Sequence, residues 1–174
     1  MPKIAFRMER QKAQNWCWAA VAVSVARFHD SDSRFRQCGV VRLVLSRAHR
    51  EGDPDVPRPV PPCCTKPVPR ACNQPWYLEE GLDQVGRRRL RPKSGSLSFE
   101  KIRKRIDADR PVCARIAWKG GGGHFVVISG YHVSRNGVRQ VDVEDPLTGP
   151  ALVNYSDFVR RYRGEGKWSH TYLV

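Results

Sequence analysis

Residues 11–28 read Gln11-Lys12-Ala13-Gln14-Asn15-Trp16-Cys17-Trp18-Ala19-Ala20-Val21-Ala22-Val23-Ser24-Val25-Ala26-Arg27-Phe28. Cys17, Ala20, Val21, Ser24, Val25 and Phe28 recur at helical spacing and share one face. Ala19, Ala22, Val23 and Ala26 make the opposite face apolar as well. A helix apolar all round belongs inside a core. Asn15 stands where an N-cap would, which sets Cys17 in the first turn, where unpaired N–H groups and the helix dipole favour a thiolate. Gln11, with five residues between it and Cys17, adds a neutral amide donor of the kind that steadies the oxyanion formed when a thiol attacks a carbonyl. The plain alternative is a small core thiol, the commonest state of an unpaired cysteine.

The chain has 174 residues, enough for one domain with an adequate core of its own. No apolar run is long enough for a transmembrane span. The start, Met1-Pro2-Lys3-Ile4-Ala5-Phe6-Arg7, lacks a signal-peptide apolar region, so the expectation is export by another route, retention inside the cell, or release from a longer precursor. The net charge is +14, from 31 Lys and Arg against 17 Asp and Glu. That balance suits an acidic protein partner, an anionic membrane or nucleic acid. Apart from Arg87–Arg89 and Lys101–Arg105 the cations are scattered, without aromatic interleaving. Nucleic acid is therefore disfavoured, and a solvated basic surface is the simplest account.

Beyond the central helix, Val41, Val44, Leu45 and Ala48 predict a second helix over Cys38–His49, ended by Gly52. Seven prolines between Asp53 and Pro69 exclude regular structure there. Cys38, Cys63, Cys64 and Cys72 bracket that loop. Setting aside a bond between the adjacent pair, Cys38 joins one of Cys63 and Cys64 while Cys72 joins the other, two pairings that spacing leaves open. Disulfides imply an oxidising destination. Free thiols are the next alternative to disulfides, and a four-thiolate zinc site is the weakest, because adjacent cysteines seldom bind one tetrahedral ion. Asn73–Val85 reads as a third helix with Pro75 in its first turn and Leu78, Leu82 and Val85 inward. Ser96 or Ser98 caps a fourth, with Phe99, Ile102 and Ile106 buried and a basic solvated face, stopped at Arg110-Pro111.

Strands follow. Val112, Ala114, Ile116 and Trp118 alternate with Cys113, Arg115 and Ala117, a half-buried strand that leaves Cys113 a structural thiol. Four glycines lead into His124-Phe125-Val126-Val127-Ile128-Ser129-Gly130-Tyr131, suited to the middle of a sheet. Asn136-Gly137 signals a hairpin into Val138–Asp145. Further strands are expected at Ala151–Val153 and Lys167–Val174, with Ser156 capping a short helix around Phe158. Helices first and an antiparallel sheet afterwards make the fold class α+β.

A cysteine nucleophile needs an imidazole to carry its proton and a third group to orient that imidazole. Of His29, His49, His124, His132 and His170, only His124 opens an apolar strand directly after glycines that permit close approach. Turning the hairpin at Asn136-Gly137 pairs residues whose numbers sum to about 273, which sets His124 opposite position 149 and near Asp145. Asp142 and Glu144 are rivals, and capping of the Asp145-Pro146 turn is the alternative use of Asp145.

Gln11, Cys17-Trp18-Ala19-Ala20, His124-Phe125-Val126-Val127 and Asp145-Pro146 in this order resemble the papain-like cysteine proteases, nearest the bacterial branch of bacteriocin-leader peptidases and avirulence-effector proteases. The resemblance covers most of the chain. It implies one papain-like domain over 1–174, with a helical half to about residue 110 carrying Cys17 and a sheet half carrying His124 and Asp145. It implies Cys17 as nucleophile, His124 as base, Asp145 as orienter and Gln11 as oxyanion donor, with no cofactor or metal. Aspartate replaces the asparagine usual in papain, which alters pH dependence rather than reaction class. The expected activity is endopeptidase cleavage of a protein or peptide substrate through a thioester, in the setting of a secreted effector or toxin. The same thiol could serve transamidation or deamidation, and a basic binding module of the same fold that has lost catalysis is the third alternative.

Overall fold

The computed structural model describes residues 2–56, 58–87 and 90–174. Arg88 and Arg89 of the basic run, and Pro57 of the proline loop, lie outside the described residues. Helix α1 spans Cys17–His29, and every residue from Cys17 to Ala26 is buried, as expected of a helix without a polar face. Trp16, not Asn15, occupies its cap position, and no side chain caps it. Asn15 is drawn away by the segment after Cys72: its N–H donates to Oδ1 of Asn73 at 2.9 Å and its side-chain amide donates to the Asn73 carbonyl at 2.8 Å.

Helix α2 spans Gln37–Arg50 and buries Val40, Val41, Val44, Leu45 and Ala48 against α1. Gly52, at φ +84°, takes the left-handed conformation that closes such an end. The proline loop carries no helix or strand among its described residues before a short 3-10 turn at Arg70–Cys72. Two disulfides staple it, Cys38–Cys64 and Cys63–Cys72, one of the two pairings the spacing allows. That pairing removes the thiolates a zinc site would need.

Helix α3, Leu78–Gln84, starts later than expected, so Pro75 precedes it rather than lying in its first turn. The carbonyls of Cys72, Asn73 and Gln74 instead accept hydrogen bonds from the α1 region. Leu78, Leu82 and Val85 do face inward. Gly81 lets α3 lie against α1: a Cβ there would come within 3.0 Å of the Trp18 ring. A two-residue strand β1, Lys93–Ser94, comes next. Helix α4, Phe99–Asp107, is capped by the Ser98 hydroxyl, which accepts from the Lys101 N–H, and it buries the stripe Phe99, Ile102 and Ile106.

The remaining elements are β2 (Val112–Ala117), β3 (Gly123–Val133), β4 (Arg139–Asp145), β5 (Gly149–Asn154), α5 (Tyr155–Arg161) and β6 (Lys167–Leu173). The sheet is antiparallel in the order β1-β6-β2-β3-β4-β5, so β3 is internal. Ser156 lies inside α5, and the cap position falls to Asn154, whose side-chain oxygen accepts from Gln140 instead. β2 is not half-buried: Cys113 is as buried as Val112 and Ala114. Helices cover the sheet on both sides, which explains why alternation fails there. Trp168 and Tyr131 meet Phe158 of α5 and Phe99 of α4 on one face, while Tyr172, beyond the register shift that separates Trp168 from His170, reaches Glu79 of α3 on the other. The N-terminal segment adds main-chain bonds to β3, from Ile4 N–H to the Ser129 carbonyl and from Tyr131 N–H to the Pro2 carbonyl.

Candidate active site

The hairpin turns at Ser134–Gly137, with Gly137 at φ +77°, and enters β4 with residue numbers summing to 272. A bulge between Ile128 and Gly130 then reduces the sum to 271, pairing Val127 with Glu144. Continued, that register sets His124 opposite residue 147 rather than 149, and Asp145 becomes its diagonal neighbour. Residues two apart in facing strands lie within reach of long side chains. His124 Nε2 is 2.9 Å from Oδ1 of Asp145, and both side chains are buried.

Nε2 is thereby committed to the carboxylate, which leaves Nδ1 for the second partner of the ring. The Cys17 thiol stands beside the ring and helps to hold its proton. Cys17 is the first residue of α1, so its N–H has no carbonyl four residues back within the helix. The sulfur therefore lies between a helix N-terminus and an imidazole.

A profile of the Peptidase_C39 like family matches residues 3–170. The chain belongs to the Peptidase_C39 like family. Membership makes it a papain-like cysteine protease acting on protein substrate. The crystal structure of the Pseudomonas avirulence protein AvrPphB is similar to it at 14% identity and a TM-score of 0.41, over 97% of this chain and 96% of that one. No curated protein sequence matches the chain.

In this Peptidase_C39 like protease the carboxylate of Asp145 is held from every side. Oδ1 also accepts the N–H groups of Leu147 at 2.8 Å and Thr148 at 3.2 Å, and Oδ2 accepts the Tyr162 hydroxyl at 2.9 Å. Capping the turn and facing the imidazole are thus one arrangement, not alternatives. Burial alone would push the Asp145 carboxyl up, but His124, the Leu147 N–H and the Tyr162 hydroxyl hold it well below the usual carboxylate range. Burial would likewise lower the His124 imidazolium. Its hydrogen bonds to Asp145 and Cys17, and their negative charge, outweigh that and raise it to about 9. Trp118 stacks over the imidazole at 6.2 Å between ring centroids.

Gln11 of the family member lies in the loop before α1 with its side-chain amide turned onto that loop. Its Nε2 donates to the carbonyls of Ala13 at 3.0 Å and Gln14 at 2.6 Å, and its buried Oε1 has no partner. The rivals of Asp145 are used elsewhere: Glu144 pairs with Lys3 at 3.0 Å and accepts from Ser129, and Asp142 lies 3.6 Å from Lys3. His29 and His49 lie in the last turns of α1 and α2, while His132 and His170 occupy β3 and β6. Cys113 is fully buried, and burial pushes its thiol up to about 12, the profile of a structural cysteine. Among the described residues no cluster could hold a metal ion.

Sequence reasoning missed Tyr162, Trp118 and Lys3. Nothing local marks Tyr162 or Lys3, because each meets its partner only after distant elements have packed, and Trp118 meets His124 across the connection from β2 to β3.

Proposed function

We propose that this protease is an endopeptidase using Cys17, His124 and Asp145 as a catalytic triad, with residues 1–174 forming one domain. The observation that carries the proposal is His124, which meets the Asp145 carboxylate at Nε2 and has the Cys17 thiol for a neighbour. The Cys17 thiolate attacks the scissile carbonyl carbon, and its C=O electrons move onto oxygen. The Cys17 N–H donates to that oxyanion. Gln11 joins it by exchanging a carbonyl of its own loop for the oxyanion, a developing charge being the stronger acceptor. Collapse breaks the C–N bond, and the imidazolium gives its proton to the departing amine. His124 then takes a proton from water, hydroxide attacks the thioester, and the acid product leaves with the thiolate and imidazolium restored.

Two disulfides in so small a chain support delivery to an oxidising compartment, in keeping with a bacterial secreted effector or toxin. A cavity of about 590 Å³ beside Trp16 supports acidic sequence in the substrate. Lys12, Arg36 and Lys66 line it without an ion-pair partner among the described residues, while its one carboxylate, Glu9, is engaged by Arg27. Treating a proteome with wild type and with Cys17→Ala, then profiling new N-termini, tests the proposal. New termini made only by wild type, flanked by acidic residues, are expected. Equal cleavage by both proteins overturns the triad, and a mass gain of about one dalton at glutamine without new termini would mean deamidation instead.

A further inference from the structure

Gln11 and the residues that lead into Cys17 at the start of α1 are irregular backbone, and irregular backbone holds a catalytic geometry only where other groups fix it. Both are gripped by side chains or carbonyls adjacent to the stapled cysteines. Gln37, buried at the start of α2 and next to Cys38, accepts the Lys12 N–H at 3.0 Å through Oε1. Its Nε2 donates to the Arg10 carbonyl at 2.8 Å and to Glu9 at 2.9 Å. One amide thus holds the main chain on either side of Gln11.

The second grip surrounds Cys17. Asn73, next to Cys72, binds Asn15 twice, as described above. The Cys72 carbonyl accepts the Trp16 indole N–H at 2.7 Å, and the Gln74 carbonyl accepts that of Trp18 at 3.1 Å. Residues on both sides of the nucleophile are therefore tied to one three-residue segment. Cys38 and Cys72, the neighbours of the two grips, are joined to adjacent positions, Cys64 and Cys63. Separate elements are thereby fastened at one point.

We propose that Gln37 and Asn73 are positioning residues of the protease, and that the Cys63-Cys64 junction braces them so that the Gln11 and Cys17 segments keep a fixed mutual position. The proposal rests on the protease reading of Cys17 and His124. Misplacing a reacting group by about 1 Å costs on the order of a hundredfold in rate, so loss of one grip lowers kcat at least tenfold while KM stays within about threefold.

Asn73→Asp keeps the oxygen that accepts the Asn15 N–H, and Asn73→Leu removes it. Both are compared with wild type for kcat and KM on a peptide identified by the terminus profiling, and for labelling of Cys17 by limiting iodoacetamide at pH 6, with circular dichroism to verify folding. The expected result is a kcat loss in Asn73→Leu, slower labelling, and rescue of both by Asn73→Asp. Should Asn73→Leu fail to fold, Asn15→Ala, which deletes only the side-chain bond to the Asn73 carbonyl, is read in its place against the same tenfold criterion. Wild-type kcat and labelling in the folded variant overturn the brace while leaving the protease standing. Absence of acid-range labelling in wild type itself overturns the protease reading and the brace with it.

Discussion

Tyr162 donates its hydroxyl to Oδ2 of Asp145, 2.9 Å away, on the side of the carboxylate turned from His124. Arg163 lies 3.5 Å from the same oxygen. The bond is buried and one partner is ionised, the class worth about 1.5–3 kcal/mol. Tyr162→Phe should therefore lower the unfolding free energy by that amount in urea titration. It should also reduce kcat/KM several-fold, because the carboxylate gains freedom to leave the imidazole. A variant as stable and active as wild type would mean that the Leu147 and Thr148 N–H groups suffice to hold Asp145.

The raised imidazolium has a signed consequence for pH. His124 exceeds its ordinary value of 6.5 and reaches about 9, so the stability it contributes is complete below pH 6.5 and is lost as pH rises through about 9. Asp145 is depressed, so its contribution is present above its ordinary value of 3.8 and is lost as pH falls below it. Activity needs the imidazolium as the acid for the leaving amine, which places the alkaline limb of the kcat/KM profile near pH 9. Asp145→Asn removes the charge that raises it, and the limb should move toward neutrality in the same measurement.

Cys17 and Cys113 are the two free cysteines, and their surroundings differ sharply. Cys113 is buried within β2 and its thiol is pushed up to about 12. Native alkylation by iodoacetamide between pH 5 and 7, read by peptide mass, should modify Cys17 and leave Cys113 intact. His124→Ala should remove the labelling of Cys17. Modification of Cys113 at a comparable rate would mean that β2 opens readily.

Where local pattern met tertiary demand determines how much of this was legible in the sequence. The buried α1 helix, the stripe of Phe99, Ile102 and Ile106, and the apolar strand led by His124 each follow from periodicity, and they sufficed for the fold class. Asn15 shows the limit. It has the chemistry of a cap, but Asn73 competes for it, and that competition exists only after the stapled loop packs beside α1. The bulge that brings Asp145 diagonal to His124 is equally invisible to turn counting, since it arises inside β3 and β4. Tyr162 is an ordinary aromatic in sequence and acquires its role only when α5 brings it to the end of β4.

The staples should contribute in proportion to the loops they close. Cys38–Cys64 spans 26 residues and Cys63–Cys72 spans 9. Chain entropy alone gives about 3.5 kcal/mol for the first and about 2.6 kcal/mol for the second. Paired replacement by serine, Cys38→Ser with Cys64→Ser or Cys63→Ser with Cys72→Ser, should lower the urea midpoint in that order if loop entropy dominates. The reverse order would show that burial of Cys63 and Cys72 outweighs loop length.

Trp118 covers the imidazole with room left for it by a glycine, Gly166, just before β6. A Cβ on Gly166 would meet the side chain of Ile116 and come within 2.6 Å of the Trp118 ring and 2.9 Å of the Tyr162 carbonyl. Neither Ile116, buried in β2, nor the Tyr162 backbone, bonded to the Gly166 N–H, can yield freely. The half-buried indole is the part that can move. Gly166→Ala should therefore cost about 1–3 kcal/mol in stability and shift Trp118 off His124. Water then reaches the His124–Asp145 bond, which weakens the attraction that raises the imidazolium. The alkaline limb should fall below pH 9, as in Trp118→Ala, while Cys17 keeps its place at the start of α1. A glycine replacement that lowers stability but leaves the pH profile unchanged would show that the indole stays in place and that the strain is taken up in β6.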